Sequence, residues 1–115
     1  MNIRNAGIAQ GRLVKDPVLF ENSDGSKKVF VTLALRDNFK NAEGEYASQF
    51  IQFEGWVSAE AKGNGVYDFM KKGDMVALQY TVISNQWTDK NDVKHYEQNL
   101  RIQSVDLMEP KPKED

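Results

Sequence analysis

The sequence predicts an all-β fold, a small closed barrel of five strands with one short helix between the third and fourth. Two observations predict it. Five stretches alternate apolar and polar residues with the period of two that marks a strand buried on one face. The first of them is long and carries Gly7 and Gly11, and glycines inside a strand mark a bend or a close backbone approach. A bent first strand suits a small barrel in which one strand serves two sheets. A chain of 115 residues matches one domain and one core.

The first strand spans Ile3 to Val14, with Gly7, Ala9, Gly11 and Leu13 on one face and Ala6, Ile8, Gln10 and Arg12 on the other. Lys15-Asp16-Pro17 ends it, because proline cannot donate to a ladder. Glu21 to Ser26 is a turn cluster around Asp24-Gly25. Lys28 to Arg36 is the second strand: Val29, Val31, Leu33 and Leu35 share one face, and Phe30, Thr32, Ala34 and Arg36 the other. Asp37 to Ala47 is polar and reads as a hairpin loop that carries Phe39 and Lys40.

The third strand contains Gln49-Phe50-Ile51-Gln52-Phe53-Glu54-Gly55-Trp56. Ile51 and Phe53 fall on one face, and Phe50, Gln52, Glu54 and Trp56 on the other. That second face mixes two large rings with hydrogen-bonding side chains. Exposed rings are unfavourable unless something covers them. Nucleic-acid bases are one cover; a second buried sheet face or a subunit contact is the other.

Val57 to Lys72 is the helical region, with Ser58 as a cap, an interruption at Gly63-Asn64-Gly65, and a short apolar stripe of Val66, Phe69 and Met70. Lys71-Lys72 and Gly73 match a helix C-terminus, and the lysines serve either that dipole or a phosphate. Met75 to Ile83 is the fourth strand, with Val76, Leu78, Tyr80 and Val82 on one face. Ser84 to Lys94 is a polar loop around Trp87, and Tyr96 to Leu107 is the fifth strand. The domain therefore runs over 1–108. Residues 109–115 form a charged, disordered tail rich in proline and charge.

Composition narrows the function. Lys and Arg total 15 against 17 Asp and Glu, a net charge of −2, so any nucleic-acid contact rests on local charge rather than on a basic chain. The absence of Cys excludes disulfides, thiolate metal sites and cysteine nucleophiles. His95 is the only histidine and reads as a solvated loop residue, which leaves no His-based metal site and no Ser-His-Asp arrangement. No cofactor is implied. No apolar run reaches membrane-spanning length and no hydrophobic signal segment opens the chain, so the expectation is a cytoplasmic protein without a membrane partner.

Five strands, one helix between the third and fourth, and a long bent first strand make the oligonucleotide/oligosaccharide-binding barrel, the OB-fold. Its second and third strands and its loops 1–2 and 4–5 bind ligand. Phe50 and Trp56 fall on the third strand, Phe39 in the loop before it, and Trp87 in loop 4–5.

On these residues the chain resembles the bacterial and phage single-stranded DNA-binding proteins. The segments are Asn5…Gly11-Arg12-Leu13…Asp16-Pro17, Phe30-Val31-Thr32-Leu33-Ala34, Gln49-Phe50-Ile51…Trp56, Lys71-Lys72-Gly73, Trp87-Thr88-Asp89 and Val105-Asp106-Leu107-Met108-Glu109-Pro110. Their order and spacing, more than any one of them, carry the likeness. The resemblance implies Phe39, Phe50, Trp56 and Trp87 as stacking rings. It implies Lys40 and Lys72 as basic contacts, with Arg36 and Lys62 as looser candidates. Departures are Gln52, Glu54 and Gln86 beside the rings, Gly63-Asn64-Gly65 in the helix, and Tyr80 where the family usually has glycine. The family's long linker and its acidic tip, with which cellular members recruit replication partners, are not found here, and with the short length this suggests a phage or mobile-element version.

The function expected is binding without catalysis. Single-stranded DNA would be coated and protected in replication, recombination or repair, by base stacking and phosphate neutralisation with little sequence preference. The resemblance also implies a homotetramer, with a dimer as the fallback, built partly through the first strand at Gly7 and Gly11, and replication or recombination proteins as further partners. The rival reading is a protein-interaction module without DNA affinity. Sugar binding on the rings is a lesser third, and carboxylate chemistry at Glu54 and Asp37 is the one enzymatic option left open by the residues.

Overall fold

The computed structural model describes residues 3–109. Six strands follow in order: β1 (Gly7–Leu13), β2 (Val18–Glu21), β3 (Lys27–Lys40), β4 (Tyr46–Val57), β5 (Met75–Thr88) and β6 (Lys94–Leu107). The sheet runs β1-β5-β6-β4-β3-β2, and β1 also pairs with β3, which closes five of the strands into a barrel. All pairings are antiparallel except β4 with β6, where Glu54 lies opposite Arg101 in a parallel register. The five predicted strands are β1, β3, β4, β5 and β6. The short β2 is an addition, paired along the edge of β3 from Val18↔Phe30 to Glu21↔Lys27.

The predicted inner faces are the core. Val29, Val31 and Leu33 from β3, Phe53 from β4 and Val76 and Leu78 from β5 are buried, with Ala9 and Leu13 from β1 and Val57 and Met70 completing the cluster. At roughly 25 cal/mol per Å² of apolar surface removed from water, this cluster supplies the main favourable term in folding. Tyr80 also turns inward. Its ring lies 5.4 Å from that of Phe53 and occupies the space that a side chain at Gly7 would need. The departure from glycine at position 80 is thus matched by a glycine facing it.

Barrel closure depends on close approach. β1 meets β3 only through Arg12↔Ala34 and Leu13↔Leu33. A Cβ at Gly11 would collide with the Ala34 carbonyl oxygen, a backbone atom with no freedom to move aside. Beyond the paired part of β1, the Asn5 side chain continues the ladder. Its amide donates to the Val82 carbonyl at 2.8 Å and its carbonyl accepts the Val82 N–H at 2.9 Å.

Three local expectations change. The helical region over Val57–Lys72 is a loop with a single 3-10 turn at Gly65–Phe69. Gly63 and Gly65 have φ of +72° and +61°, outside the helical region, and the Asp68 carboxylate holds the Asn64 N–H at 2.9 Å, a local bond that competes with helix. Met70 is buried as expected, but Phe69 is 61% exposed, and Tyr67 turns in instead, over Gly55. Lys71 and Lys72 therefore end no α-helix: their N–H groups are held by Asp74 (2.9 Å) and Asp16 (2.7 Å) in a tight turn. Finally, Phe39 and Trp87 lie on strands rather than in loops, because β3 continues to Lys40 and β5 to Thr88. The β3–β4 and β5–β6 hairpins thus project from the barrel as ribbons, and their residues become exposed towards the tips. The predicted tail lies outside the described residues from position 110; Glu109, its first residue, pairs with Arg12 at 2.9 Å.

Substituting Gly11→Val tests the closure. Overpacking at this contact is expected to cost about 1–3 kcal/mol, read as a lower midpoint of denaturant unfolding. An unchanged midpoint would mean that β1 and β3 are not pressed together here.

Candidate nucleic-acid interface

The outer face of the sheet follows from the inner one. With Phe53 buried, the alternation of β4 sends Phe50, Gln52, Glu54 and Trp56 outward, and Phe50 and Trp56 are 69% and 61% exposed. The register of β3 places Lys28 opposite Trp56, Phe30 opposite Glu54, Ala34 opposite Phe50 and Arg36 opposite Ser48, all on this face. Cross-strand neighbours of this kind are the contacting pairs of a sheet.

β6 extends the face on the other side of β4. Asn99 donates to Glu54 Oε1 at 2.7 Å, so Asn99 points outward, and with it Arg101, Glu97 and His95 at the same parity. His95 pairs across β5 with Trp87, and their rings stack with centroids 5.2 Å apart and planes 16° apart. Trp87 therefore shares one surface with Phe50 and Trp56. It has one ring face backed by His95 and is 48% exposed.

Around Trp56 lies a shallow cleft of about 470 Å³ lined by Lys28, Glu54, Gly55, Trp56 and Arg101. Lys28 Nζ stands 3.5 Å from Glu54 Oε1 and 5.3 Å from the centre of the Phe30 ring. Phe30 is met edge-on by Phe20 of β2, with centroids 5.6 Å apart, and Phe20 is exposed. Towards the far end of the β3–β4 ribbon, the Arg36 guanidinium lies 4.4 Å and Lys40 Nζ 5.9 Å from the centre of the Tyr46 ring. Such cation–ring contacts contribute only about 0.5–1 kcal/mol at exposed sites. Their effect here is to hold two positive charges against the surface beside the rings. Phe39 is 63% exposed next to Lys40, within the irregular stretch of β3 between Arg36 and Lys40.

Of the predicted site residues, Phe50, Trp56, Trp87 and Arg36 come together on the outer face by register, and Phe39 and Lys40 end the same ribbon. Lys62 is exposed on the loop that follows β4. Lys72 is exposed beside Asp16 just before β5, whereas Trp87 lies near that strand's other end, roughly 40 Å away at about 3.3 Å per residue. Sequence reasoning passed over Lys28, Arg101, Tyr46, Phe20 and His95. Parity was the available signal for Lys28, which alternates with the outward Phe30 and Arg36. For His95 there was none, because its stacking depends on the hairpin register.

The turn beneath Trp87 has its own electrostatics. His95 Nε2 lies 2.8 Å from Asp89 Oδ2, and Asp89 Oδ1 accepts the N–H groups of Asn91 (2.8 Å) and Val93 (3.0 Å). These bonds, that of His95 first, hold the Asp89 carboxyl below its usual range.

Comparison with known proteins gives the family and the fold. A family model described as "Single-strand binding protein family" matches residues 4–108. "Single-stranded DNA-binding protein B" of Bacillus subtilis (strain 168) is 32% identical over 110 residues, covering 96% of this chain and 95% of the relative. "Single-stranded DNA-binding protein" of Caldanaerobacter subterraneus subsp. tengcongensis is 32% identical over 108 residues, covering 93% and 69%. Among solved structures, a deletion mutant of the single-stranded DNA binding protein from Thermus aquaticus superposes with a TM-score of 0.69 at 20% identity. It covers 91% of this chain and 50% of that one, a likeness of fold.

The Asp89 network makes a testable turn. Because its folded pKa is depressed, the stability it contributes is present above the ordinary carboxylate range and lost as pH falls through the folded value. Asp89→Ala at neutral pH should therefore lower the protection of the Asn91 and Val93 amides, measured as their exchange rates in the two proteins at the same pH. Equal exchange rates in the two proteins would mean that the backbone bonds of the turn suffice alone.

Proposed function

The chain belongs to the single-strand binding protein family, and we propose that it holds single-stranded DNA along the outer face of β3, β4, β6 and β5, without catalysis. The observation that carries this reading is the placement of Phe50, Trp56 and Trp87 on one surface, interleaved with Lys28, Arg36 and Arg101. Each ring offers a flat face to a base, and stacking contributes about 1–3 kcal/mol per base with little regard to its identity. Duplex DNA keeps its base faces covered, so stacking itself selects unpaired strands. Phe39 and Lys40 extend the track along the β3–β4 ribbon. Lys62 and Lys72 act as outlying phosphate contacts, and the binding domain is 1–108.

In this role the protein covers unpaired DNA during replication, recombination and repair, processes of the cytoplasm in a bacterial cell. The residues from 109 onward are no part of the DNA site. Assembly through β1 is supported by its edge: among the described residues Gly7 to Gly11 pair with β5 alone, which leaves the other edge for a second copy, and Ile8 beside it is 71% exposed. A homotetramer built through this strand, or at least a dimer, joins several short tracks into one.

Two measurements check these statements. The first is titration with oligo-dT across a series of salt concentrations. Trp87→Ala should fold normally, lose about 1–3 kcal/mol of binding, and keep the slope of log K against log salt. Lys28→Ala should lower that slope by about one. Truncation after Glu109 should leave the affinity within about tenfold, or 1.4 kcal/mol. A folded Trp87→Ala protein with unaltered affinity would end the stacking account. The second is sedimentation at micromolar concentration, where a purely monomeric species would rule out assembly through β1.

A further inference from the structure

The cleft beside Trp56 differs from the rest of the track. It brings together a ring, a carboxylate and two cations, in a volume of about 470 Å³. Glu54 stands two residues from Trp56 on the same side of β4, and both side chains line the cleft, so a base on Trp56 has the carboxylate within the same small space.

The carboxylate is held in one orientation. Oε1 accepts from Asn99 at 2.7 Å and lies 3.5 Å from Lys28 Nζ, and the side chain is 18% exposed. Among the described residues Oε2 has no partner, yet Glu54 leaves no buried atom unsatisfied, so this oxygen opens on the cleft. A fixed carboxylate oxygen with no donor attached is an acceptor only.

Bases differ at the edge it meets. Cytosine, adenine and guanine each carry an exocyclic amino group that donates, and carboxylates pair with the cytosine amino group in known readout. Thymine and uracil carry none. Their single ring donor sits between two carbonyl oxygens, whose lone pairs repel a carboxylate. Lys28 and Arg101 flank the cleft and supply positive charge for the phosphates of a nucleotide that enters it.

We propose that this cleft is a base-selective subsite that takes a nucleobase with an exocyclic amino group and disfavours thymine and uracil. The proposal rests on the single-strand reading above. It adds one discriminating position to a track that is otherwise indifferent to sequence. The selective element is Glu54, with Asn99 as its positioning residue.

The test compares labelled oligo-dC and oligo-dT of equal length by fluorescence anisotropy, at neutral pH and one salt concentration, with the intact protein. The two pyrimidines match in size and stack weakly, so their edges are the difference between them. Oligo-dC is expected to bind at least about tenfold more tightly, the scale of one hydrogen bond to a charged group. Glu54→Gln keeps the shape but offers both a donor and an acceptor, so it should bring the ratio towards one. Removing a negative charge strengthens binding of both oligonucleotides alike, so the ratio is the readout that mere electrostatics does not move. Trp56→Phe, which keeps a ring beside Glu54, should preserve the preference. Equal affinities in the unmodified protein, or a ratio that Glu54→Gln leaves as it was, would overturn the proposal. Failure of both oligonucleotides to bind would instead reject the single-strand reading, and this subsite with it.

Discussion

Burial of Phe53 is the constraint on which the outer face depends. The ring is fully buried in the barrel core, packed against Tyr80, and strand alternation then leaves its neighbours no choice of side. A slip of one residue in β4 would bring Phe53 to water and draw Glu54 and Gln52 into the core. The cost is several kcal/mol for an uncovered aromatic, with the further penalty of a buried carboxylate. Phe50 and Trp56 are therefore displayed by the same interaction that holds the barrel together. The outer face needs no separate device to keep its rings in water.

The charges on that surface are arranged rather than abundant. The chain is slightly acidic overall, yet the outer face gathers Lys28, Arg36, Lys40 and Arg101 beside its rings. Lys28 and Glu54 form a partly exposed pair, which adds little to stability, since such pairs contribute about 0–1 kcal/mol. Its effect is local: Lys28 offsets the Glu54 carboxylate on a face that otherwise gathers cations beside its rings. Similar economy holds at the barrel seam, where Gly11 has no side chain because the Ala34 carbonyl occupies its place.

Much of this was legible in the sequence, and the exceptions have physical causes. Period-two patterning identified the inner faces of β1, β3, β4 and β5, because burial on one side of a strand writes itself as alternation. It likewise put Phe50 and Trp56 outward. The helix between the third and fourth strands was over-read. Ser58 and the run to Lys62 have helix-forming composition, but two glycines at positive φ and the Asn64–Asp68 bonds leave room for one 3-10 turn. Phe39 and Trp87 looked like loop residues because the ribbons that carry them are exposed on both faces, and a strand without a buried side has no alternation to display. The contacts of His95 with Trp87 and of Arg101 with Glu54 depend on pairing between distant segments, which no local pattern records.

The projecting β5–β6 ribbon has a mechanical consequence. Up to Val82 it is anchored on its flank by β1 and the Asn5 side chain; beyond that, β5 and β6 pair only with each other. A lone two-stranded ribbon is marginally stable and twists more freely than a sheet. Trp56 thus rides on a stiff bench, one strand of a closed barrel, while Trp87 rides on a compliant finger. Successive bases of an unpaired strand are not evenly spaced. Were an unpaired strand to run across both rings as proposed, the bench would fix one end of its path and the finger could bend to the spacing of the bases.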